Sequence, residues 1–493
     1  MENIKPLLVK AIEQLQEQRF EQALAICTPL VSRYPESWEL KQIAAVAHQE
    51  LGQWSEAEEL LQKAILQEGQ QVNLRIALGR TLQELERPRE ALLQYEAALQ
   101  LEPQNPSLTF HIGDALMDMG DPLAASHAFG RAVKLNPKLS EAWINFSLCL
   151  QAQGELDTAL QALQQCLLQD PNNVTARVDY AITLLHLKRY EEGWNAYTWR
   201  YRLPQVSHNL NKFASHSPLW DGRDLAGQSI LVLSEQGYGD NIQFIRYLPM
   251  LREKGAGEII LETLGPLESL FEHNQLADRS VSITQSPQER PDCFVTLLDL
   301  PRLLYPHHPT VPNSMPTLTV EAQLLETWAE RVTSLTGEGT PRKVGLIWSG
   351  KPLHPRDPAR RRSCPWESLE PLANQPGISW FSLQMGLEEI PQQMGDQPLH
   401  DLSPHLGDFH QTAAAMLQLD LIITIDTASA HLAASLGCAT WMLTPYAPDW
   451  RWGQQGPTCD WYPTMRLFRQ PSAGDWQGAV TELTRALQQW QEG

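Results

Sequence analysis

Residues Leu421 to Gly437 read LIITIDTASAHLAASLG. Five residues, four of them apolar and four β-branched, run to Ile425 and stop at Asp426-Thr427, where a run of small residues at helical spacing begins. This is a strand feeding the N-terminus of a helix. The junction presents unpaired backbone N–H groups and the positive end of the helix dipole beside a hydroxyl, Thr427, and a carboxylate, Asp426, a setting that suits a phosphate. Taken in isolation, the segment also reads as a plain α/β crossover with an Asp/Thr cap.

The flanking text is of the same kind. Upstream, KVGLIWSG from Lys343 and the stretch Ile378–Leu383 read as strands, and Thr440–Leu443 follows downstream. Earlier still, the text after Ser229 reads ILVLSEQGYGDNIQFIRYLPMLREKG, an apolar strand, a glycine-bearing turn and an amphipathic helix, with a further strand at Glu258–Leu261. These βαβ series predict two Rossmann-like halves, 228–340 and 341–470, facing a cleft. A connector at 208–227 carries a docking element in Leu219-Trp220, and an amphipathic C-terminal helix occupies 471–493.

Composition narrows the function classes. The chain has 493 residues, enough for two to four domains, and a formal net charge of -20. A strongly acidic chain lacks the basic footprint that nucleic acid or an anionic membrane demands, so neither is an expected partner. The N-terminus MENIKPLLVKAIEQLQEQ has no uninterrupted apolar core, and no stretch of about 20 apolar residues occurs, which predicts a chain without a transmembrane segment that stays in the cytoplasm. Seven scattered cysteines, never in CxxC spacing, fit a reducing compartment better than disulfides or zinc.

The first two hundred residues carry a 34-residue ruler. Pro35, Gly69, Pro103, Pro137 and Pro171 are evenly spaced, as are Ala23, Ala57, Ala91, Ala125 and Ala159, and a third series runs Ala11, Ala45, Gly79, Gly113, Ser147 and Ala181. Small residues recur where helices touch closely, and proline ends the second helix of each unit. These ladders resemble the tetratricopeptide repeat, giving an all-α solenoid of about six units over 1–207, the last departing from the pattern at Gly193. The resemblance implies a concave face for a protein or peptide partner. An array of this kind can equally dimerise its chain into a homo-oligomer or brace a neighbouring domain. The series Val9, Ile43, Ala77, His111, Asn145, Asp179 is no asparagine ladder, so peptide binding of that kind is not expected.

The motifs LWDGRDLAG, SEQGYGDNIQFIRYLP, VGLIWSGKPLHPRD, RRSCPWESLEPL, FSLQMG, DTASAHLAASLG and PYAPDWRW, with the later WYPTMRLFRQ, appear in this order between 218 and 470. Together they resemble the GT-B glycosyltransferases of the ADP-heptose:lipopolysaccharide heptosyltransferase-like group (glycosyltransferase family 9-like). The resemblance implies an acceptor half followed by a nucleotide-sugar half, with the C-terminal helix crossing back to the first.

Gly237 and Gly239 sit where strand turns to helix and let the backbone approach a substrate closely. By resemblance Asp240 is the base that deprotonates the acceptor hydroxyl, with Glu235 in reserve. Asp240 also reads as a helix cap. The resemblance likewise gives Asp426, Thr427, Ala428 and His431 to the donor's phosphates, and Gln384 of FSLQMG to the donor side. For His431 a buried structural histidine is the competing reading. The loop after KVGLIWSG gathers Lys351, His354, Arg356, Arg360, Arg361 and Arg362, whose guanidinium forks match a diphosphate, although an exposed solvated loop would read the same. After SLQ this chain has Met385 where the family tends to carry lysine. The aromatic tail, Trp450 to Trp452 and Trp461-Tyr462, suits a base or sugar ring and also suits packing between the halves.

The reading is a metal-independent inverting glycosyltransferase with no cofactor, using a nucleotide-diphosphate sugar on a protein, peptide or glycan acceptor. The rival is a non-catalytic adaptor whose solenoid binds a partner while a degenerate transferase module serves as scaffold.

Overall fold

The computed structural model describes residues 4–282, 290–305, 317–336, 342–350, 362–373 and 375–492. By packing, the chain falls into two units, Met1–Ala176 and Arg177–Gly493. The first consists of tetratricopeptide-type helical repeats and the second is an α/β module with two separate sheets.

In the first unit each helix packs on the next, as Trp38–Glu50 does on Trp54–Gln67 and Pro106–Asp118 on Pro122–Leu135. The sequence ladders account for this. Ala23, Ala57, Ala91, Ala125 and Ala159 are wholly buried. A Cβ on Gly79 would lie 2.4 Å from the Tyr95 ring and one on Gly113 2.6 Å from Phe129, so these positions are empty because an aromatic ring crosses them. Helices end at Arg33, Gln67, Leu101, Leu135 and Gln169, each two residues before a rung of the Pro/Gly ladder. The carbonyls of several rungs then accept side-chain donors, Arg75 Nε on Gly69 at 3.2 Å and Trp143 Nε1 on Pro137 at 2.9 Å.

The sixth repeat is built differently. Most of it, from Arg177 through helix Tyr190–Tyr197, belongs to the second unit. Gly193 is required there, since a Cβ would lie 2.7 Å from Leu185. Helix Pro204–Ala214 then runs into the stretch that reads as an aperiodic connector, and its Leu210 and Phe213 pack on the first sheet. Burial of its apolar edge on the sheet holds this amphipathic helix in place. Leu219-Trp220 docks as anticipated: Leu219 bridges Phe294, and the Trp220 N–H donates to the Phe294 carbonyl at 2.7 Å.

The first sheet comprises β1 (Ser229–Leu233), β2 (Glu258–Thr263), β3 (Arg279–Ser282) and β4 (Cys293–Thr296), parallel and in the order β3-β2-β1-β4. The second comprises β5 (Arg342–Leu346), β6 (Ile378–Ser382), β7 (Gln393–Met394), β8 (Gln397–Asp401), β9 (Leu421–Ile425), β10 (Thr440–Thr444) and β11 (Met465–Arg469). Its order is β11-β10-β9-β5-β6-β8-β7, parallel apart from the β7/β8 hairpin. Strands covered on both faces read as unbroken apolar runs, which is why β9 and β10 are buried at every residue. The C-terminal helix Trp476–Glu492 lies on the second sheet, whereas the resemblance carried it across to the first half. Its apolar stripe of Trp476, Val480, Leu483 and Leu487 joins the core of β5, β9 and β10.

None of the seven cysteines is in a disulfide, and burial pushes the thiols of Cys27, Cys293, Cys438 and Cys459 up to about 11 and that of Cys364 to about 12. Among the described residues no helix is long and apolar enough to cross a membrane.

Candidate functional site

In open α/β sheets ligands bind beyond the carboxyl ends of the strands, where loops are free to carry chemistry. Here β1 runs into the turn Ser234–Gly237 and helix Tyr238–Phe244, and β9 runs into Asp426-Thr427 and helix Ala428–Ser435. These two junctions, one from each half, touch. A Cβ on Gly239 would lie 2.8 Å from His431 Cδ2 and 3.4 Å from the Ala428 Cα, so the first helix has no side chain where the second approaches. Gly239 thus serves contact between the helices. Gly237 is roomier, its nearest neighbour being Asp240 Oδ2 at 3.5 Å from such a Cβ.

Asp240 is held at both oxygens. Oδ2 accepts the Gly237 N–H at 3.0 Å, which caps the helix, and Oδ1 accepts Arg451 Nη2 at 2.5 Å. Arg451 also donates to Gln243 Oε1 at 2.6 Å and to Asp449 Oδ1 at 2.8 Å, so one guanidinium grips a carboxylate of each half. Asp240 nonetheless keeps 18% of its side chain exposed. Glu235 is engaged elsewhere: Arg200 binds its two oxygens at 2.8 and 3.0 Å, and the same guanidinium reaches Asp299 at 3.4 Å and Thr296 at 2.9 Å.

The second junction has weaker satisfaction. Thr427 is the N-cap of its helix but makes no capping bond, and its buried hydroxyl has no partner. Asp426 is buried, and its carboxyl is pushed up to about 6, chiefly by loss of water and then by the neighbouring Asp449, with Arg362 and Arg451 pulling the other way. Ala428 opens the helix at the contact with Gly239. His431 is buried with Nδ1 2.8 Å from the Tyr462 hydroxyl, and burial together with Arg451 holds its pKa well below the ordinary value. It is a neutral imidazole, and with Tyr462 donating to Nδ1 its Nε2 would carry the hydrogen toward the other helix.

Gln384 is buried and fully bonded. Its Oε1 accepts the N–H groups of Trp348 and Ser349 at 3.0 and 2.8 Å, and its Nε2 donates to the carbonyls of Ser349 and Met385 at 2.9 and 2.8 Å. It holds the loop after β5 rather than reaching a ligand itself, while Met385 is half exposed. Lys351, His354, Arg356, Arg360 and Arg361 lie outside the described residues. Arg362 is described, and its charge acts on Asp426.

The aromatic tail is packing. Trp194, Phe244, Trp450 and Trp461 meet edge to face at 5.5–6.0 Å, joining helix Tyr190–Tyr197, helix Tyr238–Phe244 and the tail. Two cavities of about 320 Å³ flank this cluster. One, at the carboxyl ends of β1 and β4, is lined by Arg200, Ser234, Glu235 and Thr296 with Leu203, Val206 and Leu264. The other is lined by His186, Lys188, Trp450, Trp452 and Asp460.

Two residues of the site were not singled out from sequence. Arg451 appeared only as part of an aromatic stretch, and its pairing with Asp240 spans 211 positions. Glu262, at the end of β2, is buried with its carboxyl pushed up to about 7 by desolvation, and it accepts the Ser234 N–H at 3.1 Å. No spacing in the text marks either.

Profiles of the tetratricopeptide repeat match residues 14–80, 76–118, 110–165 and 150–193, so the N-terminal region is a tetratricopeptide-repeat region. The chain is 27% identical over 385 residues to Protein FlbA of Caulobacter vibrioides, a match covering 71% of this chain and 61% of that protein. A share of 71% exceeds the repeat region, so the likeness extends into the α/β module. The chain spans about three fifths of the length of this relative. Solved structures with partial likeness include YrrB, a tetratricopeptide-repeat protein with an unusual peptide-binding site (22% identity, 38% of this chain, 97% of that one, TM-score 0.32). PilF of Pseudomonas aeruginosa (19%, 43%, 96%, 0.37) and MamA (18%, 34%, 97%, 0.31) are similar in the same limited way.

Proposed function

We propose that the α/β module is a glycosyltransferase of the GT-B type that transfers a sugar from a nucleotide diphosphate, with inversion and without a metal ion in the reaction. The observation that carries this reading is the meeting of two strand-to-helix junctions at the Gly239–His431 contact. One offers a carboxylate and the other an uncapped helix N-terminus with a partnerless hydroxyl at Thr427. A diphosphate docked on residues 426–428, with Arg362 close enough for its charge to act on Asp426, would place an anomeric carbon toward the first half. Asp240 would take the acceptor proton, since an ionised carboxylate accepts about four hydrogen bonds and the structure uses two. The leaving diphosphate would be stabilised by the helix dipole and cations in place of a divalent ion. The repeat region supports a protein or peptide acceptor, held on its concave face, over a free glycan.

One feature favours the rival, a scaffold with a degenerate transferase fold. Arg451 occupies one oxygen of Asp240, which leaves the carboxylate fewer lone pairs for an incoming hydroxyl.

Thermal denaturation with UDP, GDP, ADP and their sugar conjugates, all in EDTA, separates the two. A ligand of the native state adds about 2.7 kcal/mol at a hundredfold excess over its dissociation constant. The transferase reading expects one nucleotide to stabilise the wild type but neither Asp426→Ala nor Thr427→Val. No shift with any nucleotide at millimolar concentration would leave the scaffold.

A further inference from the structure

Away from these junctions, two imidazoles and a carboxylate converge where three segments meet. His273 lies in the last turn of helix Glu268–Asn274 in the first half, Glu321 immediately precedes helix Ala322–Thr336, and His410 lies in the first turn of helix Phe409–Met416 in the second half. One ligand atom from each lies within 4.8 Å of the others. His410 Nε2 is 2.7 Å and His273 Nδ1 3.5 Å from the same oxygen, Glu321 Oε2, and the two rings are 5.3 Å apart between centroids. His410 Nε2 and Glu321 Oε2 are buried atoms, yet their alignment is not that of a hydrogen bond, and neither has another hydrogen-bonding partner.

The three segments are fixed by bonds that leave these groups out. Asn274 accepts the Thr319 N–H at 2.8 Å and donates to the Thr319 carbonyl at 3.1 Å. Ser269 donates to Asp408 Oδ2 at 2.9 Å, and Trp328 Nε1 donates to Gln411 Oε1 at 2.9 Å. The ligating groups therefore stand on a preorganised frame, as a metal site requires.

A simple ion pair would align one imidazole N–H with one carboxylate lone pair. Two ring nitrogens gathered about one oxygen without that alignment is a donor set that a shared cation could take up. Two imidazoles and a carboxylate suit zinc and other borderline divalent ions, whereas magnesium and calcium take oxygen donors. Around a tetrahedral zinc at about 2.0–2.2 Å, donor atoms lie roughly 3.4 Å apart, which this cluster reaches by small side-chain adjustments.

We propose that His273, Glu321 and His410 bind one zinc-like divalent cation, with water completing the coordination, and that the ion pins the first half, the segment before helix Ala322–Thr336 and the second half together. Phe409, beside His410, packs against Tyr238 at 5.1 Å between ring centroids, and Tyr238 opens the helix that carries Asp240. The ion would thus brace the first junction from behind. Its role is structural, and the proposal does not depend on the transferase reading.

The full chain, stripped with EDTA and dialysed, is titrated calorimetrically with zinc and with magnesium, and cobalt is followed by visible absorption. The expected result is one zinc equivalent per chain, cobalt d–d bands, and no magnesium binding. His273→Ala, His410→Ala and the volume-conserving Glu321→Gln lose the equivalent while their far-ultraviolet circular dichroism in EDTA matches that of the stripped wild type. His405→Ala, an exposed histidine outside the cluster, retains it. Absence of stoichiometric zinc or cobalt binding up to about 100 µM free metal would overturn the proposal. So would an equivalent that survives the His273→Ala/His410→Ala double substitution. The nucleotide experiment is run in EDTA, so either idea can fail alone.

Discussion

The two junctions that meet at Gly239 and His431 are alike in topology and opposite in electrostatics. After β1 both acids are matched: Glu235 is gripped by Arg200 and Asp240 by the backbone of Gly237 and by Arg451. After β9 Thr427 is uncapped with a partnerless hydroxyl, and the Asp426 carboxyl is pushed up to about 6 by burial and the nearby Asp449. The same strand-to-helix device can therefore be closed by its surroundings or held open by them. Unsatisfied groups at a strand's carboxyl end are costly unless something arrives to satisfy them, which is why the second junction is the better place to look for a ligand.

The comparison can be broken at its strongest point first. Arg200→Ala strands Glu235 and Asp299 in a buried setting, and urea unfolding is expected to report a loss of about 3–5 kcal/mol. A loss below about 1 kcal/mol would mean that the first junction is not electrostatically closed. Next, Gly239→Ala must force the helices apart at His431 and should cost about 1–3 kcal/mol, while Gly237→Ala stays within about 0.5 kcal/mol. Equal effects at the two glycines would deny the close approach.

The smallest effect sharpens the second junction. The Asp426 carboxyl ionises near 6 in the fold against an ordinary 3.8, so its folded-state pKa is raised. Its contribution is fully present below the unfolded value and is lost as pH rises through about 6, so the ionised group opposes folding at pH 7. Asp426→Asn is therefore expected to raise stability at pH 7, on the order of 1 kcal/mol, and to flatten the profile between pH 4 and 7. Destabilisation by this variant at pH 7 would show that the carboxylate is already paired.

The repeat region was the most legible part because its constraint is local and periodic: a ring crossing at Gly79 and another at Gly113 impose the same small residue 34 positions apart. The strands β1, β9 and β10 were legible as runs buried on both faces, and β5 and β6 by their buried apolar ends. Short strands such as β3, with no residue fully buried, offer no such run. Helix Pro204–Ala214 went unread because it straddles residue 207, where the 34-residue ruler stops, and its apolar edge of Leu210 and Phe213 faces the sheet instead of a neighbouring repeat. At the site, types and positions of the turn residues could be read, but their partners could not. Nothing in the text ties Asp240 to Arg451, or turns Gln384 inward onto the loop after β5, because these contacts exist only once the two sheets have folded. His431 shows the same limit, its neutrality being a product of burial against Tyr462.

The thiol inventory has a practical side. Of the seven cysteines six are buried, and burial keeps five of the seven, including the partly exposed Cys438, protonated at neutral pH. Alkylating reagents and mild oxidants act on the thiolate, so the native chain should be slow to react with maleimides. A single cysteine placed at exposed Met385 or Tyr238 would then stand out as a labelling position. Fluorophores could be seated at the first junction, or on the loop after β6, without first engineering the natural thiols away.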